Sequence, residues 1–190
     1  KKLLKRFRKV FQKLAGGQSA TLVALPHTGR TSHLRSITSQ PNFLGKFGVD
    51  TEKNIVAFVD INKTTKTYES IVSEIITSIS KQATKQNSAI ASQDAYLLNQ
   101  ELFELTKVKT LKQNIILIVT FNYEVVPIIP EFDNLLVLAQ KAASKYPLNI
   151  LFSVDTIVLR NYKKGHSSST FKENLFYFPT FKKDEALYSL

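Results

Sequence analysis

The chain has 190 residues, 43% apolar and 22% charged, the composition of a globular domain with enough length for one well-formed core. It has no cysteine, and His27, His33 and His166 lie far apart, which excludes disulfides, thiolate zinc sites, cysteine nucleophiles and HExxH-type metal pairs. Lys and Arg outnumber Asp and Glu by 26 to 15, a net charge of +11, and the excess sits at one end: residues 1–49 hold ten basic groups and no acid, residues 50–190 carry 16 against 15.

No apolar run approaches the roughly 20 residues of a membrane span. The lack of cysteine suits a reducing, cytoplasmic setting. The absence of methionine, initiator included, reads as a fragment of a longer protein, and the first residues lack the apolar core of a signal peptide.

Residues 1–14 (KKLLKRFRKVFQKL) place Leu3, Phe7, Val10 and Leu14 at helical spacing, with Leu4 and Phe11 widening the stripe and lysine and arginine opposite. This predicts a basic amphipathic helix that ends at Gly16-Gly17. Two uses of it stay open: a solvated helix docking its stripe on the domain, or one that contacts phosphates or a membrane surface. Residues 1–17 are accordingly set apart from a core over 18–190.

Apolar runs then alternate with helical periodicity. Ala20–Leu25 (ATLVAL), Asn54–Ile61 (NIVAFVDI), Asn114–Thr120 (NIILIVT), Leu148–Val154 (LNILFSV) and Asn174–Phe178 (NLFYF) predict strands. Between them, Thr67–Ser80, Asp94–Leu111 and Phe132–Lys145 carry apolar residues at helical spacing, while Lys81–Gln93 and Lys163–Thr170 read as polar loops. Strands that are apolar throughout are buried on both faces, so the chain reads as an α/β domain, a five-stranded parallel sheet between helix layers.

Thr21–Ile37 (TLVALPHTGRTSHLRSI) carries the most specific signal: a strand, a short loop with Pro26 and Gly29, and a helix from Arg30. A phosphate-binding loop needs this context, because amides at a helix N-terminus cradle phosphates while a cation and a hydroxyl reach the outer phosphates and the metal. Against GxxxxGK[ST], residues 24–31 read A-L-P-H-T-G-R-T. Gly29 and Thr31 match, Ala24 replaces the first glycine, and Arg30 replaces the lysine.

With Ser32, Leu34 and Arg35 beyond the loop, with "FDNLLVLAQKAASKYPLNILFSV", and with the ending "NLFYFPTFKKDEALYSL", nearly the whole chain resembles the ATPase domains of the STAND and origin-recognition/Cdc6-like branch of the AAA+ P-loop NTPases. The resemblance implies a three-layer α/β/α core with strand order 5-1-4-3-2. It implies ATP or ADP with Mg²⁺ as ligands, a nucleotide-dependent switch or assembly role, and self-association. The chain stops where that family's helical lid and winged-helix domain would begin.

Transferred position by position, the resemblance implies that Pro26, His27, Thr28, Gly29, Arg30, Thr31 and Ser32 line the nucleotide, with ordinary loop side chains the plainer role of His27 and Thr28. Arg30 keeps a cation at the lysine position but is planar and bulkier. Where the family places Asp-Glu after the third strand, this chain has Thr120 and Phe121, which leaves ATP hydrolysis weakened or lost. Glu124 is a candidate displaced acid, against an ordinary loop carboxylate. Asp155, ending the fourth strand beside the phosphate-loop strand, is the candidate metal-facing carboxylate together with Thr31. Asp60, ending the edge strand, is expected to be remote, and Arg160 is read as a surface cation or a sensor or finger arginine. The alternative from another class is a non-catalytic scaffold whose Lys5, Arg6, Lys9 and Lys13 meet DNA or an acidic partner without base specificity.

Overall fold

In this computed structural model, the described residues are 2–61, 67–83, 114–121, 148–162 and 174–178, with residues 100 and 137. Asp94–Leu111, Phe132–Lys145 and Lys163–Thr170, nearly all of Lys81–Gln93, and Glu124 lie outside them.

Five strands form one sheet because each expected apolar run folds as an extended segment: β1 (Ala20–Ala24), β2 (Asn54–Ile61), β3 (Asn114–Phe121), β4 (Leu148–Asp155) and β5 (Leu175–Tyr177). All pairings are parallel and the order is β5-β1-β4-β3-β2, the expected 5-1-4-3-2 arrangement. The helices are α1 (Lys2–Ala15), α2 (Arg30–Ser39), α3 (Pro41–Lys46), α4 (Tyr68–Ala83) and α5 (Thr156–Tyr162).

Strand alternation sorts the core into two layers. Odd-numbered Ile55, Ala57, Ile115, Leu117 and Val119 pack with Ile71, Ile75, Ile76 and Ile79 of α4 on one face. Even-numbered Leu22, Val56, Ile116 and Ile118 of β1, β2 and β3 pack on the other face with α1, α2 and α3. Helices therefore cover both faces, as continuous apolar strands require.

The stripe of α1 is spent in this second layer. Phe7, Val10, Phe11 and Leu14 are buried there, and Phe7 and Phe11 join Phe47 and Phe178 with ring centroids 5.7–6.4 Å apart. Leu4 departs from the expected stripe and is 56% exposed, since its position falls on the solvent side of the helix. The second departure is α3, which Pro41 starts at its first turn after Gln40 leaves the helical region.

Candidate functional site

In a parallel sheet the C-terminal strand ends share one edge. The register puts Asp60 beside Thr120, Thr120 beside Ser153, and Asp155 beside Ala24. Asp60, Thr120 and Ala24 have the even parity of the α1–α2–α3 layer within their strands. In β4 that layer takes the odd positions, as Leu151 shows, and Ser153 and Asp155 share its parity. The loop from Leu25 to Gly29 leaves this edge directly from β1.

The loop's geometry rests on a few residues. His27 has φ 60° and Gly29 φ 74°, two left-handed positions that reverse the chain into α2. The Thr28 hydroxyl donates to the Leu25 carbonyl at 2.8 Å and closes the turn. Gly29 is the N-cap of α2 and supplies no side-chain cap, so the first-turn amides meet no capping oxygen from it. The His33 amide donates to the Gly29 carbonyl at 2.9 Å, the His33 ring nitrogen Nδ1 lies 2.8 Å from the same oxygen, and the ring packs edge-on to Phe178. His27, Gly29 and Ser32 are exposed or nearly so by their burial along the loop; Pro26, Thr28 and Thr31 are half-buried.

Arg30 differs from the other loop residues. It is only 6% exposed, and its Nη2 donates to the Phe121 carbonyl at 2.7 Å, crossing from α2 to the end of β3. Burial pulls its guanidinium down to about 10, and the negative charges of Asp155 and Asp60 work against that fall. A charged group held this deep depends on such neighbours.

Asp60 is not remote, contrary to the sequence expectation. Its Oδ1 accepts from the Thr120 hydroxyl at 2.6 Å and its Oδ2 pairs with Arg35, whose guanidinium also lies over the Phe58 ring. The register sets β2 and β3 level, so a carboxylate on the edge strand comes alongside the third-strand position where the resembling family has its acid. Phe121, at the second acidic position, turns its ring into the opposite layer with Ile61 and α4 residues. Asp155 is 2% exposed, and its Oδ1 accepts from the amides of Ile157 and Val158, both at 2.9 Å, capping α5. The structure therefore brings Arg30, Thr120, Asp155 and the unforeseen Asp60 to one edge. Arg35 and the Phe121 carbonyl complete the set.

No family model matches the chain, and no curated protein matches it in sequence. Solved structures do. The Aeropyrum pernix ORC2 protein, solved as ADPNP–ADP complexes, aligns with a TM-score of 0.67 at 14% identity, over 99% of this chain and 49% of that one. The Aeropyrum pernix ORC1 protein in complex with DNA gives 0.64 at 14% identity, over 97% and 46%. The Cdc6p of Pyrobaculum aerophilum gives 0.64 at 16% identity, over 97% and 46%. The chain shares the fold of these proteins. It spans about half the length of each.

Away from the loop, Lys5, Arg6, Arg8, Lys9 and Lys13 are placed on α1 outside its buried stripe. Arg6 donates to the Tyr177 carbonyl, Arg8 to the Lys46 carbonyl at 3.1 Å, and Lys13 to Gln18 Oε1 at 2.8 Å. Two of the cations expected to meet a partner, Arg6 and Lys13, thus also tie α1 down. Among the described residues no helix is long and apolar enough to cross a membrane.

Proposed function

We propose that this chain is the nucleotide-binding core of an AAA+-type ATPase of the STAND or origin-recognition kind, with hydrolysis weak or lost, acting as a nucleotide-dependent switch or assembly module. One observation carries the reading: two left-handed loop residues deliver the uncapped N-terminus of α2 and the cation of Arg30 to the C-terminal edge of a parallel sheet. Pro26, His27, Thr28, Gly29, Arg30, Thr31 and Ser32 would line the phosphates of ATP or ADP. Gly29 leaves room for close backbone approach, and the amides and guanidinium offer donors that suit an anion.

Hydrolysis is the weaker half of ATPase chemistry on this edge. Thr120 has no charge, its hydroxyl is already given to Asp60, and Phe121 faces the other layer. Asp60 comes alongside the third strand, but its two oxygens already accept from Thr120 and pair with Arg35. Glu124 remains a candidate acid from the sequence.

The pair expected to hold Mg²⁺ is Thr31 and Asp155; Asp155 Oδ1 caps α5 and the carboxylate lies in the field of Arg30, so the metal would rest on the Thr31 hydroxyl and the second Asp155 oxygen. Among the described residues no three His, Asp or Glu groups cluster for a metal.

Titration of the chain with a fluorescent ATP analogue tests the reading. Saturable binding displaced by unlabelled ATP or ADP is the expected result, and a loss of about tenfold or more in Gly29→Ala or Arg30→Gln would place it at the loop. No saturable binding below millimolar ATP, in this chain and in one extended through a lid, would end it.

A second reading, contact with DNA or an acidic partner through α1, is favoured by the cationic face left outward once the apolar stripe is buried. A burial of that kind also removes the stripe from any role in entering a membrane. Replacing Lys5, Arg6, Lys9 and Lys13 with Gln should weaken retention on DNA and flatten its salt dependence. Unchanged retention across the salt series would remove α1 from the argument.

A further inference from the structure

Resting on the nucleotide reading above, we infer that His33 is the positioning residue of the phosphate loop. Its ring fixes the Gly29–Arg30 peptide so that the Arg30 amide faces the anion. The Gly29 carbonyl meets two nitrogens of this one residue. The His33 amide donates to it at 2.9 Å, and ring Nδ1 lies 2.8 Å from the same oxygen. A carbonyl oxygen only accepts, so Nδ1 carries the proton and donates. The first bond is the opening rung of α2, which any residue but proline supplies. The second needs a side-chain donor.

That donor acts on a peptide with little else to hold it. Gly29 is the N-cap of α2 at φ 74° and ψ 10°, where N-caps ordinarily take the extended region. It has no side chain to bond the first turn, and a glycine takes either sign of φ with similar ease, so its peptide can turn. The Gly29–Arg30 peptide is planar and trans, so fixing its carbonyl also fixes its N–H in the opposite direction. The carbonyl is held along α2 by His33. The Arg30 N–H therefore points out of the helix N-terminus, where a phosphate would be met.

The ring is itself seated by two other elements. It packs edge-on to Phe178 with centroids 5.7 Å apart. Phe178 is buried, Phe7 of α1 lies 5.8 Å from it ring to ring, and its amide donates to the Val23 carbonyl at 2.7 Å. On its other side the ring lies against Gly29, close enough that a Cβ there would come 3.4 Å from Nδ1. Thus α1 and the end of β5 set the ring, the ring sets a carbonyl, and the carbonyl sets an amide.

Two substitutions separate the donor from the packing. Asparagine carries an amide N–H at the place along the side chain where histidine has Nδ1, so His33→Asn keeps the donor and loses the ring on Phe178. His33→Phe keeps a ring there and has no donor. The experiment titrates each variant with ATP labelled by a fluorophore on its ribose and follows its thermal unfolding. His33→Asn should bind within about twofold of wild type although its Tm falls. His33→Phe should lose about three- to tenfold in affinity, the scale of one hydrogen bond, although its Tm is kept. His33→Leu, also without a donor, should match the phenylalanine variant in affinity. A role confined to packing gives the reverse order, with the asparagine variant the weaker binder. That order, or equal affinity in all three, overturns the positioning role and leaves nucleotide binding standing. No saturable binding by the wild-type chain overturns the two together.

Discussion

Replacing Arg30 by methionine should leave the protein as stable as before or make it more stable at neutral pH, although the arginine donates a 2.7 Å hydrogen bond to the Phe121 carbonyl. Burial pulls the guanidinium from its ordinary value down to about 10, which corresponds to roughly 3 kcal/mol against the charged form even after Asp155 and Asp60 have acted. Deleting the side chain's charge removes that penalty. It also takes a donor from the Phe121 carbonyl, a loss of about 1–3 kcal/mol. The net is roughly 0–2 kcal/mol in favour of Arg30→Met, or a rise of up to about 8 °C in Tm for a domain of this size. Urea unfolding at about pH 7.5 measures it, and the pH dependence supplies a control. The folded state lowers this pKa, so above about pH 10 the unfolded chain holds the proton more tightly and the wild type gains stability as pH rises. The advantage of Arg30→Met should therefore be full at neutral pH and shrink as pH climbs through 10. A variant less stable than wild type by more than about 1 kcal/mol at neutral pH, or a gap that does not shrink, would refute the reasoning.

Gly29→Ala should cost about 1–2 kcal/mol, because φ 74° is left-handed while the new Cβ would meet the His33 ring only at an ordinary 3.4 Å; thermal unfolding checks it, and an unchanged Tm would mean the loop has another conformation. Thr120→Asp, which restores an acid at the third-strand position, should destabilise by about 2–4 kcal/mol, since it removes the hydroxyl given to Asp60 and sets two carboxylates side by side. Adding Asp60→Asn should recover at least half of that loss in urea unfolding, and a double variant no better than the single would show that the two positions do not interact.

The apolar runs made the strands readable, because a strand buried on both faces has little choice but Val, Ile, Leu and Phe. The strand order came with the resemblance and not from periodicity, since nothing in a single strand names its neighbour. Asp60 illustrates the consequence of that gap. Taken as the end of an edge strand, it reads as distant from the loop, yet NIVAFVD and NIILIVT both start at asparagine and place Asp60 and Thr120 at the same step. Once β2 and β3 are neighbours, aligning the two asparagines gives the observed register and puts the carboxylate on the hydroxyl. Parity points the same way: Asp60 shares its face with Val56, and Thr120 with Ile116 and Ile118. The Phe121 carbonyl was not legible, because a backbone acceptor has no letter. The α1 charge was visible but not its partners, for the Tyr177 and Lys46 carbonyls that hold Arg6 and Arg8 lie far along the chain.

The departures from the phosphate-loop pattern are physically linked. A longer, planar cation at position 30 reaches the end of β3 and takes the Phe121 carbonyl, so it occupies the layer between α2 and the sheet edge. There it needs negative charge nearby, and Asp155 and Asp60 provide it from the strands on either side of β3. Arg35 neutralises part of Asp60 from the solvent side. An aspartate at position 120 would then be a third carboxylate on an edge with two arginines, and the buried excess would call for a further cation. Threonine avoids that excess while its hydroxyl gives Asp60 the donor it needs. The arginine at position 30 and the threonine at position 120 are thus two halves of one charge balance.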